Sequence, residues 1–310
     1  MRLGVLDIGS NTVHLLLIDA HPGARPLPFG SHKRSLQLVA YLDERGAISE
    51  EGQRELLDFI GEAAEFARTN DAEDLLAFAT SAIRESANGQ EVLARVYAET
   101  GIRLAELSGP DEAAATFLAV RRWYGWGAGN ILNLDIGGGS FELAMGADEH
   151  PELALSVPLG AGRLTWDLLE GDPPSAKSVK AARKYIRATL AEPIAAFTRL
   201  DPATLVAATS KSFRSLARIT GAAPRAAGPY VKRELRLSDL TLWANRLAAM
   251  SAADRAELPG VSEIRARQML AAALVAEAAL SGLGLDAAQI CPWALREGLI
   301  LQRFDHLRAL

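Results

Sequence analysis

The sequence predicts an α/β protein of two domains, each a mixed five-stranded sheet with helices on its faces. Three observations predict it. The stretch Leu134-Asp135-Ile136-Gly137-Gly138-Gly139-Ser140-Phe141-Glu142-Leu143 reads as an apolar strand ending on a carboxylate, a turn of three glycines and a serine, and a second strand. Leu6-Asp7-Ile8-Gly9-Ser10-Asn11-Thr12-Val13 reads the same way, with Asp7 over Asp135, Gly9 over Gly137 and Thr12 over Ser140. Around each copy the order of elements is three strands, helix, strand, helix, strand, helix, the pattern of a mixed sheet covered by helices.

The elements follow in order. Residues 2–8 and 12–20 read as strands, 21–30 as a Pro/Gly-rich connection, and 33–41 as a third strand by its alternation. Ser49 caps a helix of about five turns, whose Leu56, Leu57, Ile60, Ala63, Ala64 and Ala67 share one face. A short strand at 75–79 ends in the polar tip Thr80-Ser81-Ala82-Ile83-Arg84-Glu85; a helix over 90–99 stops before Gly101, and a strand over 103–107 is broken by Ser108-Gly109-Pro110. Asp111 opens a helix reaching Tyr124, and Gly125-Trp126-Gly127-Ala128-Gly129 reads as the linker. The second half predicts strands at 131–136, 140–146, 152–158, 204–208 and 287–291, and helices at 163–170, 177–197 and 210–219. An inserted helical stretch spans about 238–281, and a last helix starts at Trp293. The expected domains are therefore 1–128 and 129–310, with the last helix, about 293–310, a candidate for packing back on the first. The two glycine turns are expected to face each other across an interdomain cleft, where ligand sites prefer to lie.

Composition bounds the function. The chain has 310 residues, 49% apolar and 23% charged, as in an ordinary soluble protein. The net charge of −5 argues against a general nucleic-acid binder, while a polyanionic substrate remains compatible with locally concentrated Lys and Arg. The single Cys291 excludes an internal disulfide and a cysteine zinc site, and reads as a small buried hydrophobe. His14, His21, His32, His150 and His306 show no metal-ligand spacing. No apolar run approaches the length of a membrane span, and the N-terminus lacks a signal-peptide pattern. A cytoplasmic protein is the default, and a homodimer the default oligomer.

The turns carry the chemistry. Three consecutive glycines remove every Cβ, so a ligand can approach the backbone amides, which suits a phosphate. Asp135 and Glu142 are placed to hold a divalent cation against that phosphate. Gly-rich hairpin turns are also common without a ligand, and the second copy is what favours the phosphate reading. For Asp7 two readings stand: support of the metal through water, or bonding of the turn's own amides. Glu112, at a helix start, reads equally as a favourable acid of a first turn. Lys211 and Arg214 open a helix after the strand at 204–208, and Arg163, Lys232, Arg233 and Arg236 are candidates for a basic track or for solvated surface. The apolar stripe in 267–280 reads as core or as subunit interface.

In combination the motifs name a family. The turns resemble the phosphate-binding loops of the actin/Hsp70/sugar-kinase superfold. The whole chain resembles the exopolyphosphatase/guanosine pentaphosphate phosphohydrolase family, in its short two-domain type. The resemblance rests on Asp7-Ile-Gly-Ser-Asn-Thr12, Ala79-Thr-Ser-Ala-Ile-Arg84, Ser108-Gly-Pro-Asp-Glu-Ala113, Asp135-Ile-Gly-Gly-Gly-Ser140 with Glu142, Thr209-Ser-Lys-Ser-Phe-Arg214 and Leu295-Arg-Glu-Gly-Leu299. It implies two RNase H-like (actin-like) domains with the active site in their cleft. It further implies Glu112 as general base, Asp135 and Glu142 as ligands of Mg2+, and phosphate bound by Ser10, Asn11, Thr12, Gly137, Gly138, Gly139 and Ser140, with Arg84 offsetting charge; beside it, Asp7 is a candidate for supporting the metal and Lys211 for binding phosphate from their places in the chain. Two departures stand out: Asp111 occupies the place of a second glutamate, and Ala113-Ala114 that of Ala-Arg, so one basic contact is missing.

The implied activity is release of terminal orthophosphate from inorganic polyphosphate, with Mg2+ as cofactor and Mn2+ and K+ as alternatives. Guanosine pentaphosphate is the alternative substrate. Phosphotransfer from polyphosphate to a nucleoside diphosphate, and a non-catalytic polyphosphate or nucleotide sensor, are the competing classes. No convincing adenosine-binding segment supports the kinase reading, and the intact carboxylates oppose the sensor.

Overall fold

The computed structural model describes residues 1–19, 21 and 27–308. They group into two compact units: Met1–Glu112 with Leu299–Leu310, and Ala113–Gly298. Residues 113–128, expected with the first domain, group with the second unit.

The first unit holds one five-stranded sheet in the order β3-β2-β1-β4-β5. Its strands are β1 (Arg2–Ile8), β2 (Val13–Asp19), β3 (Leu27–Arg34), β4 (Asp74–Ala79) and β5 (Ala105–Glu106). β1, β2 and β3 pair antiparallel, while β4 runs parallel to β1 and β5 parallel to β4. The helices are α1 (Glu50–Thr69), α2 (Ser81–Arg84), α3 (Gly89–Thr100) and the start of α4 (Gly109–Tyr124). The Ser49 hydroxyl accepts the Gly52 amide and starts α1, which seats Leu56, Phe59, Ile60 and Ala63 on Ile8, Val13, Leu15 and Leu17 of the sheet.

The third strand lies earlier than its alternation predicts. Leu27–Arg34 forms it, and Leu38–Tyr41 is a 3-10 turn whose Leu38 plugs the core. The reason is its place at the sheet edge. An edge strand needs bonds on one side only, so Pro28 sits at a bulge opposite Leu17 and Ile18, and its outward side chains need no apolar period. Residues 22–26 of the expected connection lie outside the described residues.

The second unit has six strands rather than five, in the order β10-β11-β9-β6-β7-β8. They are β6 (Ile131–Ile136), β7 (Phe141–Gly146), β8 (Leu153–Val157), β9 (Leu205–Ala208), β10 (Glu234–Arg236) and β11 (Ala287–Ile290). The added strand, β10, pairs antiparallel to β11; with three residues, of which only Leu235 is fully buried, it shows no readable period. Helices α5 (Ala161–Leu168), α6 (Ala176–Phe197), α7 (Ser210–Ile219), α8 (Leu237–Ala249), α9 (Ala252–Ala256), α10 (Glu263–Ala266), α11 (Met269–Gly282) and α12 (Leu295–Arg308) complete the chain. The α11 helix is buried on nearly every side, from Met269 to Val275 without a break, so the apolar stripe read in 267–280 is core.

A buried arginine and a close helix crossing brace this unit. Arg121, 1% exposed, donates to the carbonyls of Gly125, Gly129, Gly146 and Asp148, and so fixes the turn at 125–129, which lies inside the second unit rather than linking two domains. Gly298 crosses α4 so closely that a Cβ there would sit 1.8 Å from the Ala115 carbonyl oxygen. Among the described residues, no helix is long and apolar enough to cross a membrane.

Candidate active site

The two glycine hairpins share one geometry. In the first, Ile8 pairs with Val13 and the Gly9 amide donates to the Thr12 carbonyl at 3.2 Å. In the second, Ile136 pairs with Phe141 and the Gly137 amide donates to the Ser140 carbonyl at 2.9 Å. The superposition read from sequence therefore holds at the level of single hydrogen bonds.

In the first unit the turn is lined by side chains that polar residues seldom supply so deep. Ser10, Asn11, Thr80 and Ser81 are all buried, and the Ser10 and Ser81 hydroxyls meet at 3.2 Å, tying the turn to the polar tip after β4. Arg84 and Glu112 come together in the same unit. Arg84 Nη1 donates to the Leu107 carbonyl at 2.7 Å and to Glu112 Oε2 at 3.1 Å, with both side chains about 15% exposed. Glu112 thus has its orientation set by a guanidinium that is itself anchored on backbone. The helix start is equally fixed: the Ser108 hydroxyl accepts the Asp111 amide and donates to Asp111 Oδ2, so Asp111 serves the α4 cap.

In the second unit the glycine turn is held from behind. The first amides of α5 have no partner within their own helix. Those of Gly160, Ala161, Gly162 and Arg163 donate instead to the carbonyls of Gly139, Gly137 and Gly138. With its carbonyls turned back this way, the loop leaves the Gly138 and Gly139 amides without an acceptor among the described residues. The packing is tight enough that a Cβ on Gly160 would stand 2.4 Å from the Gly138 oxygen.

Beside that turn, antiparallel pairing sets Asp135 directly opposite Glu142, and Glu142 opposite Ser156. Residues opposite one another project to the same face, so the two carboxylates are neighbours. The Ser156 hydroxyl donates to Glu142 Oε1 at 2.8 Å, and the Thr209 hydroxyl to Asp135 Oδ2 at 2.5 Å. The position opposite Asp7 in the first hairpin is His14, so the carboxylate pair belongs to the second unit.

Burial pushes the Asp135 carboxyl up to about 6; the Thr209 hydrogen bond and the guanidinium groups of Arg214 and Arg265 pull it back down. Burial depresses both of those arginines, and the Arg214 Nε is buried with no hydrogen-bond partner among the described residues. Glu297, which accepts the Ala294 amide at the head of α12, supplies Arg214 with countercharge. Ser210, the first residue of α7, is held at φ 70°, a left-handed conformation costly for a side chain bearing a Cβ. Lys211 follows it and is exposed.

Sequence reasoning missed Thr209, Ser156 and Arg265 as parts of the site. Thr209 stands in a quoted motif but its hydroxyl's target, 74 residues away, is visible only through the sheet. The basic track loses three of its candidates to local tasks: Arg233 clasps the carbonyls of Ala223, Pro224, Gly228 and Val231, and Lys232 and Arg236 pair with Glu234. Cys291 is buried and its thiol is pushed up to about 12, in keeping with a packing residue.

Among the described residues, no group of three or more His, Cys, Asp or Glu side chains converges as a metal cage. Two adjacent carboxylates suit Mg2+, which keeps waters and takes its remaining ligands from phosphate oxygens.

Comparison with known proteins identifies relatives of this chain. The Exopolyphosphatase 1 of Mycobacterium tuberculosis is 54% identical over 305 residues, covering 98% of this chain and 89% of that protein. The crystal structure of an exopolyphosphatase from Cytophaga hutchinsonii matches with a TM-score of 0.87 at 25% identity, covering 99% of this chain and 98% of that one. More distantly, the guanosine-5'-triphosphate,3'-diphosphate pyrophosphatase of Vibrio vulnificus is 27% identical over 305 residues, which cover 59% of its length. Residues 17–307 match the description of the Ppx/GppA phosphatase family, and the chain belongs to that family.

Proposed function

We infer that this protein is an exopolyphosphatase, releasing terminal orthophosphate from inorganic polyphosphate. One observation carries the choice of substrate: the relative sharing 54% of residues over nearly the whole chain bears that activity in its name, while the guanosine pentaphosphate-type relative shares 27%. The site supports the chemistry. Cleaving a phosphoanhydride requires a held phosphate, an oriented water and compensation of charge on the transferred oxygens. The amides of Gly138 and Gly139 supply donors for phosphate oxygens, as do the hydroxyls of Ser10, Thr12 and Ser140. Glu112 takes the proton of the attacking water, and Arg84 keeps its carboxylate aimed. Lys211 offsets charge further along the substrate. Asp135 and Glu142 are the residues that would hold Mg2+ or Mn2+; bound there, the ion would neutralise charge developing on the phosphoryl oxygens.

The test is phosphate release from polyphosphates of defined length, from guanosine pentaphosphate and from ATP, with and without Mg2+. Polyphosphate is expected to be turned over fastest, with no acceptor nucleotide required. Glu112→Gln is expected to lose turnover by roughly 10²- to 10⁴-fold while still binding substrate. Wild-type turnover in that variant would remove Glu112 from the mechanism, and a strict need for ADP would make the reaction a phosphotransfer.

A further inference from the structure

The two carboxylates opposite the glycine turn are each tied by a hydroxyl from a neighbouring strand or strand end. Thr209, fully buried, donates to Asp135 Oδ2 at 2.5 Å; Ser156 donates to Glu142 Oε1 at 2.8 Å. The Thr209 hydroxyl also lies 3.3 Å from the Leu134 carbonyl oxygen, and the shorter contact is the one to the carboxylate. The other oxygen of Glu142, Oε2, stands on the turn's side, 3.9 Å from where a Cβ on Gly137 would be. The Thr209 amide is itself fixed, donating to the Leu134 carbonyl at 2.9 Å. The four residues therefore form one row across the sheet: Thr209, Asp135, Glu142, Ser156.

The duplicate hairpin shows that this row is not a by-product of the fold. In the first unit, Asp7 lies beside Phe78 in the parallel pair and opposite His14 in the antiparallel one. In the second unit the parallel register brings Ala208 beside Leu134, so the residue after it, Thr209, falls beside Asp135. Between the two hairpins, phenylalanine is exchanged for threonine and histidine for glutamate. A free threonine rotor beside a lone aspartate would gain little; beside a paired carboxylate it sets which oxygen faces its neighbour.

We propose that Thr209 and Ser156 are positioning residues for a divalent cation: each holds one oxygen of its carboxylate so that the other is presented at the Asp135–Glu142 pair on the glycine-turn side. This rests on the reading of that pair as the metal-holding carboxylates. Groups in this position commonly tune metal affinity by about 10- to 100-fold.

The experiment uses the full chain and Mn2+ alone, its free concentration followed by electron paramagnetic resonance. Thr209→Val keeps the shape and removes the hydroxyl; Thr209→Ser keeps the hydroxyl. Thr209→Val is expected to weaken Mn2+ binding by about 10-fold or more and to raise by a similar factor the Mg2+ concentration giving half-maximal phosphate release. Thr209→Ser is expected to restore both, and Ser156→Ala to shift both in the same direction. Asp135→Asn separates the two levels of the argument. If it keeps wild-type Mn2+ affinity, the metal reading fails and the proposal with it. If it loses Mn2+ while Thr209→Val and Ser156→Ala bind as wild type, the metal reading stands and the proposal is overturned. Equal losses in Thr209→Val and Thr209→Ser would also overturn it, since packing rather than the hydroxyl would then be responsible.

Discussion

Asp135 shows how one side chain can be costly to the fold and useful to the site. An unfolded aspartate titrates near 3.8, whereas in the folded protein burial raises the value to about 6. Between those values the folded state holds more protons than the unfolded one, so stability falls as pH rises through the window, and the full cost is present above it. Asp135→Asn removes the titration. In chelator-treated buffer its advantage over wild type is expected to be absent near pH 3.5, to grow through pH 6, and to level off at up to about 3 kcal/mol. Urea unfolding across that range measures it, and a difference that does not vary with pH would mean that the carboxyl is not desolvated. Asp135 and Glu142 were legible as candidates because an acid flanking a glycine turn is a local pattern, and Glu112 became one through the family resemblance. The contacts that hold these side chains were not legible. Arg84 and Glu112 are 28 residues apart, and Ser156 and Glu142 meet only through strand register, so no local spacing announces either contact.

Among the elements, the second hairpin and α5 act as one piece. Gly160 has ordinary extended dihedrals (φ −66°, ψ 146°), so its requirement for glycine comes from contact, not from backbone conformation. A methyl group there would stand 2.2 Å from the Gly139 carbonyl carbon. Gly160→Ala is therefore expected to destabilise the protein by about 1–3 kcal/mol and to lower phosphate release by displacing the loop amides. Thermal unfolding and the release assay check the two halves of that expectation; normal activity with normal stability would show that the turn yields freely. Hairpins and long helices were readable because glycine, cap and period signals are local. The edge strand Leu27–Arg34 was misplaced and Glu234–Arg236 unseen because edges tolerate proline and short exposed runs carry no period.

For the molecule as a whole, the duplication was the most legible feature, and the division of the chain the least. Alternating strands and helices announce two sheets, and the last helix was a candidate for packing back on the first domain, yet they do not say that the chain also passes from one unit to the other inside α4. The composition carries no trace of this, since both helices are ordinary in sequence. A chain ending at Gly298 is expected to keep slow amide exchange in β6, β7 and β9 and to lose protection first in β1 and β4. Hydrogen exchange read by mass spectrometry tests this, and uniform loss over both sheets would make the two units a single cooperative block.

The carboxylate of Asp74, at the head of β4, is clasped by the guanidinium of Arg303 at 2.7 Å, 229 positions further along the chain. On a ribosome adding about 5–20 residues per second, the clasp arrives roughly 10–45 s after the strand it secures. The later-made half is continuous and can close as it emerges, whereas the earlier-made half must wait, incomplete, for its final helix. Nascent chains stalled short of that helix would thus offer chaperones the first sheet, and not the second.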